Sequence, residues 1–263
     1  MSFMDYEEYI TSISFRFVKP HFRIPIPEEY YDDRLAKLLK SGSPGWLEKI
    51  GVQLEFINTA LPEGESALKK SLRDVCRIPK MSTLAIGAMI NRAVSEMSQT
   101  EMFVNVGIWH GFTFLCGMVN NPTKICVGVD NFSEFGAPRD LFLARYNDYK
   151  GPNHYFYEMD YTEYFSTVHG GSIGFYIYDG GHDYVNQLKG LQIAEPFFSE
   201  NCIILVDDTN WDAPRRATLD FISSSSNRYR ILLDAKTNYN CHPTLWNGVL
   251  IFQMVSVAGD RKA

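Results

Sequence analysis

Gly174-Phe-Tyr-Ile-Tyr-Asp-Gly-Gly-His-Asp-Tyr184 is a short apolar run that stops abruptly at an acid, two glycines and a histidine. Ile203-Ile-Leu-Val-Asp-Asp208 repeats the pattern, an apolar run broken by two carboxylates. Runs of this kind recur at Met102–Val106, Ile125–Val129, Tyr155–Met159, Gly174–Tyr178, Cys202–Val206, Tyr229–Leu233 and Gly248–Val255. Each is strand length, and most are separated by enough chain for a crossover helix. Near-continuous hydrophobic runs are what strands covered on both faces of a parallel sheet look like. Seven of them alternating with helices predict an open α/β sheet.

Outward from this region, toward the N-terminus, the pattern becomes helical. Leu35, Leu38 and Leu39 within Glu28–Lys40 fall at helical spacing, with Gly42 and Pro44 to stop them. Trp46, Ile50, Leu54 and Ile57 predict a second helix ended by Pro62, and a third is expected over Glu65–Cys76. A fourth, Ser82–Met97, starts with a Ser cap. Residues 20–27 carry three prolines and read as extended or irregular. The division expected is a helical and irregular extension over residues 1–80 and an α/β domain over 81–263. Phe3, Tyr6, Tyr9, Phe15, Phe17, Phe22, Tyr30 and Tyr31 make the first 31 residues aromatic. They suit a lid or a dimer contact, or rings packed onto the main domain.

The bulk properties exclude several classes. The chain has 263 residues, 45% hydrophobic and 21% charged, which is globular composition. The longest aliphatic stretches are far short of the roughly 20 residues that span a membrane. The N-terminus is acidic where a secretory leader would be basic and then apolar, so a cytoplasmic protein is expected. Lys and Arg number 25 against 31 Asp and Glu, a net charge of −6, with no basic cluster to neutralise phosphates. No nucleic-acid or membrane partner is therefore expected. Five cysteines without a CxxC pair read as reduced thiols rather than a zinc site or a disulfide framework.

In open α/β sheets, ligands bind beyond the carboxyl ends of the strands, so the residues that follow each run matter most. After the first run, Gly107 and Gly111 allow a tight turn and close approach of backbone N–H groups to a ligand. Asp130 ends the second run 23 residues after Gly107, placed to accept from ribose hydroxyls. Asp160 ends the third, reaching an adenine amino group or capping the next helix. If the fourth and fifth strands are neighbours, Asp179, Asp207 and Asp208 converge. Crowded carboxylates repel unless protonated or neutralised by a cation, and an all-oxygen set suits Mg2+. His182, whose ordinary pKa lies near neutrality, is the candidate general base beside a metal-bound hydroxyl. Trp109, His110 and Trp211 lie on loops at the same edge and are candidates for lining a pocket.

Taken together, the glycine turn, Asp130, Asp160, Asp-Gly-Gly-His and Val-Asp-Asp resemble class I S-adenosylmethionine-dependent methyltransferases over residues 81–255. The likeness is to the small-molecule O-methyltransferase branch with a D-G-x-H motif after strand four and an acidic pair after strand five. Macrolide sugar O-methyltransferases and cephalosporin hydroxylase-like proteins belong there. The resemblance implies a Rossmann-like seven-stranded sheet ordered 3-2-1-4-5-7-6 with the last strand antiparallel. It implies S-adenosylmethionine held by Asn105, Gly107, Gly111, Asp130, Asn131, Asp160, Tyr161 and Asp179. It implies Mg2+ on Asp179, Asp207 and Asp208, His182 as catalytic base, and a small hydroxylated metabolite as methyl acceptor. Asn105 departs from the Glu common two residues before the first glycine and supplies an acceptor without a charge. Other readings open at this point are a methyltransferase-fold hydroxylase, a nicotinamide enzyme, which lacks its GxGxxG, and a non-catalytic cofactor-binding module. The aromatic N-terminus points to a homodimer.

Overall fold

The computed structural model describes residues 4–21, 46–136 and 138–255. The predicted helix Glu28–Lys40, Phe3, Phe22, Tyr30 and Tyr31 lie outside the described residues.

Two short strands, β1 (Ser14–Phe15) and β2 (Thr59–Ala60), pair antiparallel near the N-terminus. The main sheet consists of β3 (Met102–Val106), β4 (Ile125–Val129), β5 (His154–Tyr157), β6 (Ile173–Tyr178), β7 (Phe198–Asp207), β8 (Arg228–Ala235) and β9 (Val249–Val255). Their order is β5-β4-β3-β6-β7-β9-β8. The first five run parallel, and β9 is antiparallel to both β7 and β8. Counted from β3, this is the expected 3-2-1-4-5-7-6 arrangement of a Rossmann-like methyltransferase sheet. Strand boundaries differ from the sequence reading by a few residues; β7 is the longest because Phe198 to Asn201 extend the pairing ahead of the apolar run.

Both faces of the sheet are buried, which is why the strands read as unbroken apolar runs. Phe103, Phe175, Ile177, Leu205 and Ile251 point into one core and Val104, Tyr176, Tyr178, Ile204 and Val206 into the other. Along β6 every residue is buried. The first core is covered by α4 (Leu84–Glu96), α5 (Phe112–Met118) and α6 (Arg139–Tyr149). On the second face lie α7 (Tyr161–Thr167), α8 (Tyr184–Ala194) and α9 (Asp212–Ser224). Helix α4 is apolar nearly all round because α5 packs on it as the sheet does, with Asn91 Nδ2 bridging the carbonyls of Cys116 and Val119 at 2.7 Å each.

The N-terminal part contains α1 (Tyr6–Ser12), α2 (Trp46–Asn58) and α3 (Ser66–Ser71). The third predicted helix is shorter than expected: α3 stops at Ser71, and Val75–Arg77 forms a separate 3-10 turn. Helix α4 is capped by Thr83 rather than Ser82, the Thr83 hydroxyl accepting from Ile86 N and donating to Thr244 O at 2.7 Å. Tyr6, Tyr9 and Phe15 are buried in the first core, whereas Phe17 is 67% exposed. Tyr6 Oη donates to Met89 O (3.2 Å), and the Arg92 guanidinium stands 5.1 Å from the Tyr9 ring centre. Among the described residues, no helix is long and apolar enough to cross a membrane.

Candidate active site

The carboxyl ends of β3, β4, β5 and β6 open onto a cavity of about 250 Å³. Gly107, Asp130, Asn131, Asp160, Tyr161, Asp179 and His182 line it, so chain ends separated by up to 75 residues meet at one mouth. Asn105, Gly111, Asp207 and Asp208 are not part of that lining.

The turn after β3 is built around Asp130. One carboxylate oxygen accepts from Ile108 N (2.6 Å) and Trp109 N (2.9 Å), the other from Phe132 N (2.6 Å). Asp130 therefore braces the glycine turn and its own loop; the oxygen that accepts from both turn amides is filled, and the one facing Phe132 N keeps a second lone pair for a ligand hydroxyl. Gly107 is forced by geometry. Its φ is +83°, and a Cβ there would lie 1.9 Å from the Asp179 carbonyl oxygen. Two strand ends thus approach as closely as backbone allows. Gly111, at φ +99°, is the residue before α5; a Cβ would meet the Phe142 ring, so its role is packing beneath the turn. Trp109, Phe132, Phe135 and Asp208 also carry positive φ, a concentration of strained backbone at this mouth.

Asn105 is fully buried. Its Nδ2 donates to Gly107 O (2.9 Å), while its Oδ1 has no partner. This acceptor lies beside the glycine turn but behind the cavity lining. Asp160 caps α7 through Thr162 N at 2.8 Å, the second of the two sequence alternatives, and it also lines the cavity.

The acidic edge is arranged differently from the expected three carboxylates. Asp179, His182 and Asp208 each offer a ligand atom within 4.8 Å of the others. His182 Nε2 stands 3.0 Å from Asp208 Oδ2 and 3.9 Å from Asp179 Oδ1. Asp207 is not in this group; its Oδ1 accepts from Asp208 N at 2.8 Å and its side chain is buried. The reason is local. A φ of +58° at Asp208 turns the chain over, so consecutive carboxylates point different ways. Gly180 and Gly181 bend the chain back so that His182 returns beside Asp179, and Asp183 fixes that return by capping α8 at Val185 N and Asn186 N.

Burial holds Asp179 above the carboxylate range, to about 6, with His182 opposing and Asp208 and Asp130 adding to it. Burial also raises Asp207 and Asp208; His182 and the Asn247 hydrogen bond pull Asp208 back.

Of the candidate aromatic and histidine lining, Trp109 faces the cavity and donates its Nε1–H to Phe135 O (3.0 Å). His110 does not line it. Its ring nitrogen meets Arg145 Nη1 at 2.9 Å, and burial, then Arg145, lowers its pKa to about 4. Trp211 stands edge-on to the His182 ring, with centres 5.4 Å apart. The sequence reading missed Lys80, Ser82 and Asn247. Lys80 and Ser82 line the cavity from ahead of the sheet, where nothing in a lone Lys or Ser marks a site. Asn247 Nδ2 donates to Asp208 Oδ1 (2.6 Å) from 39 residues downstream.

Solved structures of similar fold include an O-methyltransferase candidate from Klebsiella pneumoniae, 12% identical over 87% of this chain and 99% of that chain, with a TM-score of 0.51. A cofactor-bound protein from MTB is 14% identical over 89% of this chain and 99% of that chain (TM-score 0.53). The O-methyltransferase from Bacillus cereus in complex with SAH is 12% identical over 82% and 99% (TM-score 0.50). At such identities these likenesses establish the fold. No curated protein sequence matches the chain significantly. Residues 104–209, from β3 to the turn after β7, match the family model described as a methyltransferase domain, and that segment holds the glycine turn, Asp130, Asp160, Asp179, His182 and the Asp207–Asp208 pair.

Proposed function

We propose that this protein transfers the methyl group of S-adenosylmethionine to an oxygen of a small hydroxylated acceptor, with help from a divalent cation. The observation that carries the reading is the shared mouth: the glycine turn, Asp130, Asp179 and His182 line one cavity. The glycine turn at Gly107 lets the amino-acid end of the cofactor approach the backbone closely; Asp130 and Asn131 suit its ribose, and Asp160 with Tyr161 its adenine.

Asp179 and Asp208 would hold a divalent cation, which when bound would make an acceptor hydroxyl more acidic. The protein's contribution is alignment. Oxygen, methyl and sulfur must lie in line, and a fixed near-attack geometry removes much of the entropic barrier. The raised pKa of Asp179 follows from burying a carboxylate near two others, a cost that a cation offsets.

Titration calorimetry with S-adenosylhomocysteine and with NAD tests the cofactor, and transfer of labelled methyl to a panel of catechols and sugars tests the chemistry. Binding of the first ligand alone, and transfer that EDTA suppresses, are expected. His182→Ala is expected to keep cofactor binding and lose transfer. Binding of NAD in place of S-adenosylhomocysteine would remove the reading.

A further inference from the structure

Among the described residues that line the cavity, Lys80 is the one Lys or Arg, while Asp130, Glu134, Asp160 and Asp179 are acidic. We infer that Lys80 and Ser82, from the stretch ahead of α4, form a carboxylate-binding subsite, and that it takes the carboxylate at the amino-acid end of the cofactor. This rests on the proposed methyl-transfer reading and assigns a binding role to two residues outside the segment that matches the methyltransferase domain.

Three observations carry it. The first is a hydroxyl without a task. Ser82 is 3% exposed and lines the cavity, and its Oγ has no hydrogen-bond partner. The start of α4 does not need it, because Thr83 Oγ1 accepts from Ile86 N and a Glu55 oxygen accepts from Leu84 N. A buried hydroxyl left unpaired is costly, and a ligand oxygen at the cavity wall removes that cost.

The second is an ammonium held at the same wall. Lys80 Nζ donates to Glu55 Oε2 at 2.7 Å, and its side chain is 13% exposed. Burial disfavours the charge, yet the Glu55 carboxylate outweighs burial and keeps the ammonium protonated. An ammonium has N–H donors to spare beyond the one that Glu55 takes. Nζ also stands 5.5 Å from the centre of the Phe112 ring, and Phe112 lines the cavity directly after Gly111, so the charge lies at the glycine-turn end. The third observation is exclusion by charge. A carboxylate placed among the acidic lining residues meets like charges, whereas beside Lys80 it gains a charge-assisted hydrogen bond.

The test uses the full chain and titration calorimetry with ligands that differ at this end. S-adenosylhomocysteine carries the carboxylate, and 5′-methylthioadenosine lacks the whole amino-acid end. Lys80→Met is expected to weaken S-adenosylhomocysteine at least about tenfold and to leave 5′-methylthioadenosine within about twofold of the wild type. Ser82→Ala should weaken the first ligand by about threefold and spare the second. Because Lys80→Met strands the Glu55 charge, the double variant Glu55→Gln with Lys80→Met, which leaves no buried charge unpaired, repeats the measurement should the single variant fail to fold. Decarboxylated S-adenosylhomocysteine keeps the amine, so it separates the two ends of the amino acid: Lys80→Met should leave its affinity unchanged. Equal losses for all three ligands, or unchanged affinity of these variants for S-adenosylhomocysteine, overturn the subsite. A wild type that binds none of the three would instead sink the methyltransferase reading, so the two failures are distinguishable.

Discussion

Gly107 shows how one residue couples the tip of β3 to the acidic tip of β6. Because a Cβ there would collide with the Asp179 carbonyl, Gly107→Ala must push β3 and β6 apart at their tips while also straining φ. Backbone strain of this kind costs about 1–3 kcal/mol, and the clash adds to it. The expected variant loses roughly 3 kcal/mol in urea unfolding and binds S-adenosylhomocysteine poorly. A variant with unchanged stability would mean that the two tips are not locked together. The residue scale was also where the sequence was most readable. Gly107, Asp130 and Asp179 directly follow β3, β4 and β6, and Asp160 and His182 come within four residues of a strand end, so strand ends alone place them near the cavity. The division of labour between Asp207 and Asp208 was not readable, because it depends on the sign of φ at Asp208 and on an Asn far along the chain.

At the scale of elements, the start of α4 is the cavity wall that the motifs do not announce. Glu55, near the end of α2, ion-pairs with Lys80 at 2.7 Å and accepts from Leu84 N, the first residue of α4. The pair is largely shielded from water: although burial disfavours charge on Lys80, the Glu55 carboxylate outweighs it and holds the ammonium above its ordinary range. Breaking a buried pair by removing one partner costs about 3–5 kcal/mol. Glu55→Ala should therefore destabilise the fold by about that amount, and protection of the α4 amides against hydrogen exchange should fall first. Uniform loss of protection across the sheet would place the role of Glu55 elsewhere. The strands of the main sheet were legible because burial on both faces makes them apolar throughout. The N-terminal helices were less so. Leu54 and Ile57 keep helical spacing yet stand 60% and 46% exposed, so periodicity found the helix but not its buried face. Helix α3 is cut short at Ser71, a boundary that tertiary packing sets rather than propensity.

For the whole molecule, the acidic edge ties stability to pH and to cations. Asp179 has a folded-state pKa raised from 3.8 to about 6, so the folded protein binds more protons than the unfolded chain within that window. Stability contributed by this group therefore falls as pH rises from 3.8 toward 6 and stays lower above it. In EDTA, Asp179→Asn should gain stability over the wild type as pH climbs through the window and match it near pH 3.8. A divalent cation should reverse that ranking at neutral pH, since binding to the native state alone is stabilising. A gain that is flat with pH would show that charge on Asp179 costs the fold nothing.

All of these effects depend on one arrangement: the proposed cofactor seat after β3 and β4 shares a mouth with Asp179 and His182, against which Asp208 packs. Proton relaxation of the S-methyl group of bound S-adenosylmethionine, measured with and without Mn2+, reads the proximity directly. The account predicts strong, saturable enhancement of that one resonance, abolished by Asp179→Asn although the cofactor still binds. An S-methyl resonance that Mn2+ leaves untouched while both ligands are bound would contradict it.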